Sequence, residues 1–439
     1  MANIRKLAIE LLRAAENGEN INAILSAKAE NLTDGRDRAL LVNIVDGSLR
    51  NKLYLENIID GLLNTSIKKI SKPVKYILIT GAYQLIFLDR VPPHAIVNES
   101  VKLTPNGTKN LVNAILRRVA ERKEQYLSET DNDNSIDALS IKYSHPKWLI
   151  ERWEAAYGLE ATTALLKANN EPPKSCVRTN KRWVTRDALF SFLTARELNL
   201  KLCEYSRFGI EIIKGGNLAS LPEYSEGLFS VQGEASMLVA ELLRPGRGKR
   251  GWDMAAGVGG KSTHIAEWID DNGYLLCTDT AAERLEVLTK ETERLSLESI
   301  EVKHANALTM KVDEPFDYIL LDAPCSGTGA LSKQADARYK KSDENILENA
   351  DLQARLLEKA AKSLKSGGIL LYSTCSLEHE ENEGQIEQFL AKHPEFSLAD
   401  LSEEKYIPRE CYTEDNKFLK CFPHIHKTDG FFAAKLIMR

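Results

Sequence analysis

Long hydrophobic runs are scarce in this chain of 439 residues. The longest, "YILITGAYQLIFL" at 76–88, carries Thr80 and Gln84 and is too short to cross a bilayer, so a membrane protein is not expected. The opening "MANIRKLAIELLRAAENG" sets Glu10 and Arg13 among its apolar residues, which reads as a helix and not as a secretory leader. The seven cysteines, at 176, 203, 277, 325, 375, 411 and 421, form no CxxC pair and no even framework. Structural zinc and a disulfide scaffold are therefore not expected, no metal is assigned, and a reducing cytoplasm is the default location. Repeats and low-complexity tracts are missing too. So is the G-x-x-x-x-G-K-[ST] run of a nucleoside triphosphatase. What is there, 43% hydrophobic and 28% charged residues, is the composition of an ordinary globular protein, and the length calls for two or three domains.

The net charge of −5 conceals an asymmetry. Residues 1–125 hold 19 Lys and Arg against 13 Asp and Glu, an excess of six that leaves the remainder at −11. A basic N-terminal part on an acidic body suggests a polyanionic partner, although a solvated helical surface with spare charge would look the same.

That N-terminal part reads as helices. "ALLVNIVDGSLRNKLYLENIIDGLL" (39–63) follows helical spacing for most of its length. "KNLVNAILRRVAERKEQ" (109–125) puts Leu111, Val112, Ile115, Leu116 and Val119 on one face and most of Arg117, Arg118, Arg122 and Lys123 on the other. Pro92-Pro93 and Pro105-Asn106-Gly107 mark turns, and the whole predicts a helical bundle over 1–125. Polar "SETDNDNS" (128–135) predicts a linker, and "HPKWLIERWEAAYG" (145–158) a helix, within a connecting region at 126–170. Short strand-like runs around the helix "TRDALFSFLTARE" predict a small α+β subdomain at 171–235 with a basic patch, "RTNKRWVTR". From 236 to 439 strands alternate with helices: "GWDMAA" (251–256), "GYLLCTD" (273–279), "IEVKHAN" (300–306), "DYILLDA" (317–323) and "GILLYST" (368–374). Such an order implies an open, mostly parallel sheet with helices on both faces, whose ligands bind at the carboxyl ends of the strands.

The chemistry-bearing motifs fall at those ends. "DMAAGVGGKST" (253–263) follows the first strand and opens a helix, so Gly257, Gly259 and Gly260 offer a tight turn and close backbone approach at a helix N-terminus. Asp279 ends the second strand, where a carboxylate can accept both hydroxyls of a ribose. A nucleotide-like cofactor is expected, and NAD and S-adenosylmethionine both remain open on these residues alone. "LLDAPCSGTGA" (320–330) and "LLYSTCSLEHEENE" (370–383) then end two further strands, each with a cysteine. A lone cysteine there is most often a small buried hydrophobe. Two of them, delivered with Asp322 to one edge of a sheet, suggest a thiol nucleophile for an electron-poor ring carbon. "HIH" (424–426) lacks metal-ligand spacing, and "EHEEN" (378–382) reads most simply as a charged helix start. "DAPC" is also not the D/N-P-P-aromatic turn of an adenine amino-methyltransferase.

D-A-P-C-S-G-x-G at 322–329 and S-T-C-S-L-x-x-x-E-N-E at 373–383 resemble the two catalytic motifs of the RNA 5-methylcytosine methyltransferases. "DRALLVNIVDGSLR", "RVPPHAIVNESV" and "NLVNAILRR" are similar to a NusB-like RNA-binding domain. "KYSHPKWLIERW", "GLFSVQGEASMLVAELL" and "DGFFAAKLI" (429–437) carry the likeness along nearly the whole chain, in the domain order of that family's bacterial 16S rRNA enzymes. The resemblance implies an all-α NusB-like bundle, a small RRM-like α+β insert and a Rossmann-like α/β methyltransferase domain. The implied activity is transfer of a methyl group from S-adenosylmethionine to C5 of a cytosine in small-subunit rRNA not yet fully assembled, by a monomer.

By the same resemblance Cys375 attacks C6, Cys325 serves product release, and Asp322 stabilises the activated pyrimidine. Asp279 binds ribose, Lys261 closes the glycine turn, and Ala255, Ala256, Val258 and Asn306 line the cofactor. The chain departs from the family's D-x-C-A-A-P-G-G-K-T at Ala255, Gly257 and Val258. It has Asn306 for an acid, Gly233 for another, and "SKQAD" (332–336) for R-R-H-P-D. These changes bear on cofactor affinity and RNA contacts and leave both thiols and Asp322 in place. Two other readings stay open: the same chemistry on tRNA, and a non-catalytic RNA-binding assembly or antitermination factor.

Overall fold

The computed structural model describes residues 3–19, 21–128 and 133–439, so the linker expected at 128–135 lies partly outside the described residues. The chain divides into two compact units.

The first comprises the described residues up to Glu171 together with Leu331–Lys340. Its helices span Ile4–Glu16, Ile21–Glu30, Gly35–Arg50, Lys52–Asp60, Lys72–Phe87, Pro93–Leu103, Lys109–Glu121, Lys123–Ser128, Ile136–Tyr143 and Lys147–Asn170. The 39–63 run, expected as one helical pattern, is interrupted at Asn51, whose φ of −109° and ψ of 21° leave the helical region. The long apolar run at 76–88 becomes a helix buried nearly all round, which is how an apolar segment too short for a membrane is used in a core. No helix among the described residues is long and apolar enough to cross a membrane. The helix expected at 145–158 continues to Asn170 across a break at Gly158, where φ is +78°.

The segment Leu331–Lys340 is fastened into this unit by hydrogen bonds to backbone. Buried Arg338 donates to the carbonyls of Ser144 and Asn169 and to the Asn170 side chain. Arg50 donates to the carbonyl of Ser332, and the Tyr339 hydroxyl to that of Leu49. Ala335 packs into the helical core. The "SKQAD" departure thus lies in a segment of this unit, not of the sheet that flanks it in sequence.

The second unit, Pro172–Ala330 with Lys341–Arg439, holds both sheets. Strands β1 (Ser175–Thr179), β2 (Asn199–Leu202), β3 (Gly209–Lys214) and β4 (Phe229–Val231) form an antiparallel sheet in the order β2-β3-β1-β4, with the helix Arg186–Ala195 between β1 and β2. The large sheet contains β5 (Lys249–Asp253), β6 (Gly273–Asp279), β7 (Ile300–His304), β8 (Phe316–Asp322), β9 (Leu364–Thr374), β10 (Phe396–Leu398), β11 (Leu419–Cys421) and β12 (Phe431–Met438). Its order is β10-β12-β9-β8-β5-β6-β7, with β11 also paired to β12. β5 to β9 run parallel, and β12 is antiparallel to β9. Tyr318, Ile319, Leu320 and Leu321 are all buried, the unbroken apolar run of a strand covered on both faces. This is the mixed α/β sheet that the alternation of elements implies.

Candidate active site

Neighbouring parallel strands end at one edge, so β8 and β9 bring Asp322 and Cys325 beside Cys375, while β5 and β6 bring the glycine turn beside Asp279. The turn needs its glycines. At Gly259 φ is +83°, and a Cβ there would meet Leu288 Cδ1 at 2.1 Å. At Gly257 φ is +54°, with open space where a Cβ would stand. Asp279 accepts from Gly257 N at 2.9 Å and from Ala281 N at 2.8 Å, one bond to each carboxylate oxygen, so each oxygen keeps a lone pair for a ligand. Val258 is exposed, Ala255, Ala256 and Gly260 are half-buried, and Asn306 is exposed with its Oδ1 accepting from Leu308 N.

Behind the turn, Asp253 is buried and accepts from Ser262 Oγ at 2.7 Å. Burial pushes its carboxyl up to about 7; the Ser262 bond opposes this and the Asp322 charge adds to it. A group that holds its proton more tightly folded than unfolded costs stability as pH rises from its unfolded value near ~4 through about 7. Asp253→Asn should flatten that limb. Urea titrations should show the variant losing at least ~1 kcal/mol less than the parent between pH 5 and pH 8. Equal losses would mean that Asp253 is ionised throughout.

Of the seven cysteines five are buried, and Cys325 and Cys375 are the two partly exposed ones. Their sulfurs lie 3.4 Å apart although the residues are 50 apart in sequence. Donation from the Cys325 thiol holds Cys375 below the ordinary thiol range; Lys261 adds to this, while burial and Asp322 oppose it. The same bond, with burial, pushes Cys325 well above that range. Of the two, Cys375 is therefore the thiol that gives up its proton more readily, and Cys325 the one that holds it more tightly. Lys261 Nζ lies 2.6 Å from Asp322 Oδ2, and Ser373 Oγ donates to Asp322 Oδ1 at 2.8 Å. Burial works against the lysine charge, but Asp322 more than offsets it and raises its pKa. One cleft edge thus presents two thiols, a carboxylate and an ammonium.

Several site residues escape the sequence reading. Arg178 counts there as part of a basic patch, yet it is fully buried. It donates to Glu267, Gln232, Thr263 and the carbonyl of Gly260, at the start of the helix that the glycine turn opens. Arg182 and Arg186 are likewise tied to backbone carbonyls, of Ser296 and of Ser206, so "RTNKRWVTR" is largely internal wiring. Glu381 counts there as the first glutamate of the 373–383 motif, in a stretch read as a charged helix start, yet it too is fully buried, and it accepts from the backbone N–H of Ser326, next to Cys325. A strand arginine and a helix-start glutamate look solvent-facing in sequence because only the tertiary fold supplies their partners. Cys411, Cys421 and His426 cluster closely enough for a metal ion. Both His426 ring nitrogens, however, are engaged, by Phe422 N and by the Glu410 carbonyl, each at 2.9 Å.

Residues 240–437 match the family model described as 16S rRNA methyltransferase RsmB/F, residues 2–121 that of the NusB family, and residues 145–219 that of an RsmF/B-like ferredoxin-like domain. A Bacillus subtilis protein described as probable ribosomal RNA small subunit methyltransferase B is 31% identical, covering 99% of this chain and 98% of its own length. Among solved structures, PH0851 shares the fold with a TM-score of 0.80 and 24% identity, over 99% of both chains. NSun6 from Pyrococcus horikoshii, determined with SFG, gives a TM-score of 0.61 and 24% identity over 67% of this chain and 98% of that one. With its catalytic sheet preceded by a NusB-like bundle and a ferredoxin-like insert, the chain belongs to the RsmB/F family of 16S rRNA methyltransferases.

Proposed function

We propose that this methyltransferase uses S-adenosylmethionine to methylate C5 of one cytosine in 16S rRNA through a covalent bond from Cys375 to C6. The observation that carries the reading is the thiol pair at 3.4 Å, with Cys375 the more readily ionised of the two, beside the Asp322–Lys261 pair at 2.6 Å. Cytosine C5 is a poor nucleophile until a thiolate adds at C6. The new S–C6 bond then pushes the electrons of the C5=C6 double bond toward C5. S-adenosylmethionine, when bound, supplies the methyl group that C5 takes up. Loss of the C5 proton lets the C–S bond break and restores the double bond and the thiolate. Cys325 is placed to assist that second half, and Asp322 to hold the pyrimidine while its ring carries extra electron density. The base must leave its stack to reach the cleft, so single-stranded or remodelled rRNA is the substrate.

The glycine turn and Asp279 suit an adenosyl ligand, with the open space at Gly257 and the spare lone pairs of Asp279 as the observations that fit it. Asp279→Ala should weaken S-adenosylmethionine binding by ~1–3 kcal/mol, through lost bonds to charge and a loosened turn. Calorimetry on the full chain checks this, and unchanged affinity would remove Asp279 from the site. The basic excess of residues 1–125 is assigned to rRNA phosphates. Removing that part should weaken RNA binding and flatten its salt dependence, measured as binding curves at several salt concentrations. Equal slopes would make it a protein-docking part instead.

Bisulfite sequencing of total RNA from a deletion strain tests the whole reading. Loss of one methylcytosine from 16S rRNA is expected. Loss from a tRNA would move the substrate, and no loss from any RNA would favour a non-catalytic assembly factor.

A further inference from the structure

Two loops from separate strands hold Cys325 and Cys375, and the residue after each cysteine is a serine. Both serine hydroxyls, of Ser326 and Ser376, donate to the same oxygen, Oε2 of Glu381. The other oxygen, Oε1, accepts from the Ser326 backbone N–H at 2.8 Å and from Gln353 Nε2 at 3.1 Å. Gln353 also donates to the Pro324 carbonyl, one residue before Cys325, at 2.8 Å. From below, the Tyr372 hydroxyl donates to the Glu381 carbonyl at 2.6 Å, and Asn382 Nδ2 to the Ser376 carbonyl at 2.9 Å. Glu381 is fully buried. A carboxylate taken out of water is costly unless its lone pairs are filled, and here four donors fill them. Those donors come from both cysteine loops and from the helix Asp343–Ser363 between them in sequence.

We propose that Glu381 is a positioning residue that sets the spacing of the two thiols, acting through Ser326 and Ser376. Each serine is bonded to its cysteine through one peptide, so fixing both hydroxyls on one oxygen fixes the two cysteine backbones relative to each other. Other bonds also join the loops: Ala323 N donates to the Ser373 carbonyl, Gly329 N to the Cys375 carbonyl and Leu377 N to Thr328 Oγ1, and the Ser326 and Ser376 hydroxyls lie 3.1 Å apart, but Glu381 is the group that gathers donors from both residues next to the cysteines. That the spacing serves methyl transfer rests on the function proposed above. That Glu381 sets the spacing does not.

Disulfide closure is the ruler. Diamide takes two electrons and two protons from a pair of thiols, and the rate of Cys325–Cys375 closure reads how often the sulfurs meet. Peptide mapping distinguishes that bridge from those of the five buried cysteines. In the full-length protein without RNA, Glu381→Ala is expected to close at least tenfold more slowly than the parent. Glu381→Gln should recover most of the rate, because the serine hydroxyls can turn to accept from its amide. Affinity for S-adenosylmethionine should stay within twofold of the parent in both. Methylation assays should show kcat falling with KM for S-adenosylmethionine unchanged. Should Glu381→Ala not fold, Ser326→Ala removes one arm of the clamp and is expected to slow closure in the same direction.

Parent-like closure in a folded Glu381→Ala or Ser326→Ala protein would overturn the proposal. So would loss of closure, cofactor affinity and thermal stability together in Glu381→Gln, which marks a merely structural residue. If closure depends on Glu381 but no RNA is methylated even by the parent, the clamp stands and the proposed function falls.

Discussion

Cys375→Ala is expected to abolish both methyl transfer and any covalent protein–RNA species, a loss on the order of 10³-fold or more, as for other covalent nucleophiles. Cys325→Ala should differ in kind. If Cys325 serves only the second half of the reaction, its variant attacks, methylates and then fails to release, leaving an RNA adduct visible on a denaturing gel. The geometry adds a pH signature. When Cys375 ionises, the Cys325 thiol 3.4 Å away can donate to it, and that bond is the main influence holding Cys375 low. Removing the donor raises the Cys375 pKa, so adduct formation by Cys325→Ala should be slow near neutrality and climb with pH as Cys375 ionises. Time courses between pH 6 and pH 9 check this. Adducts from Cys375→Ala and none from Cys325→Ala would reverse the two roles, and normal turnover in both would leave two inert thiols.

The thiol pair was legible because a parallel sheet has a simple rule. Strand-end residues of β8 and β9 meet at one edge, so a cysteine just past each strand is enough to place both. Asp279 and the glycine turn follow the same rule at β6 and β5. The roles of these residues, and the NusB-like and RRM-like parts, come from family resemblance; periodicity offers only a bundle and a small α+β insert. What sequence did not reveal has one physical cause. Charge patterns are read as solvent-facing by default, so Arg178, Arg338 and Glu381, all fully buried, were invisible as wiring. Leu331–Lys340 was hidden for a related reason. Its hold on the helical unit comes through Arg338, Arg50 and Tyr339 bonding to backbone carbonyls, and carbonyls carry no sequence signature.

Arg178→Met is expected to destabilise the sheet-bearing unit by ~3–5 kcal/mol, the range for breaking a buried ion pair from one side. Arg178 is fully buried on β1 with all five of its N–H donors used. Two go to Glu267, at 2.7 and 3.0 Å, and the others to Gln232, Thr263 and the Gly260 carbonyl. Methionine fills similar volume but leaves Glu267 as an uncompensated buried charge. Burial already holds the Glu267 carboxyl above its ordinary range, with Arg178 drawing it back. Without the arginine that carboxyl rises further. The deficit should then be small near pH 5, where Glu267 can take up a proton, and full at pH 8, where it must ionise or remain costly. Lysine at 178 restores the charge with at most three donors and should recover only part of the loss. Replacing both partners, Arg178→Met with Glu267→Leu, should be less destabilising than Arg178→Met alone, since no charge is stranded. The effect should also reach the candidate site, because Gly260 and Thr263 open the helix that the glycine turn leads into. The folded fraction of Arg178→Met should therefore bind S-adenosylmethionine several-fold more weakly than the parent. Urea unfolding at the two pH values and calorimetry on the same samples decide the matter. A pH-independent deficit would mean that Glu267 is not the stranded group, and unaltered cofactor affinity would confine Arg178 to holding the small sheet in place.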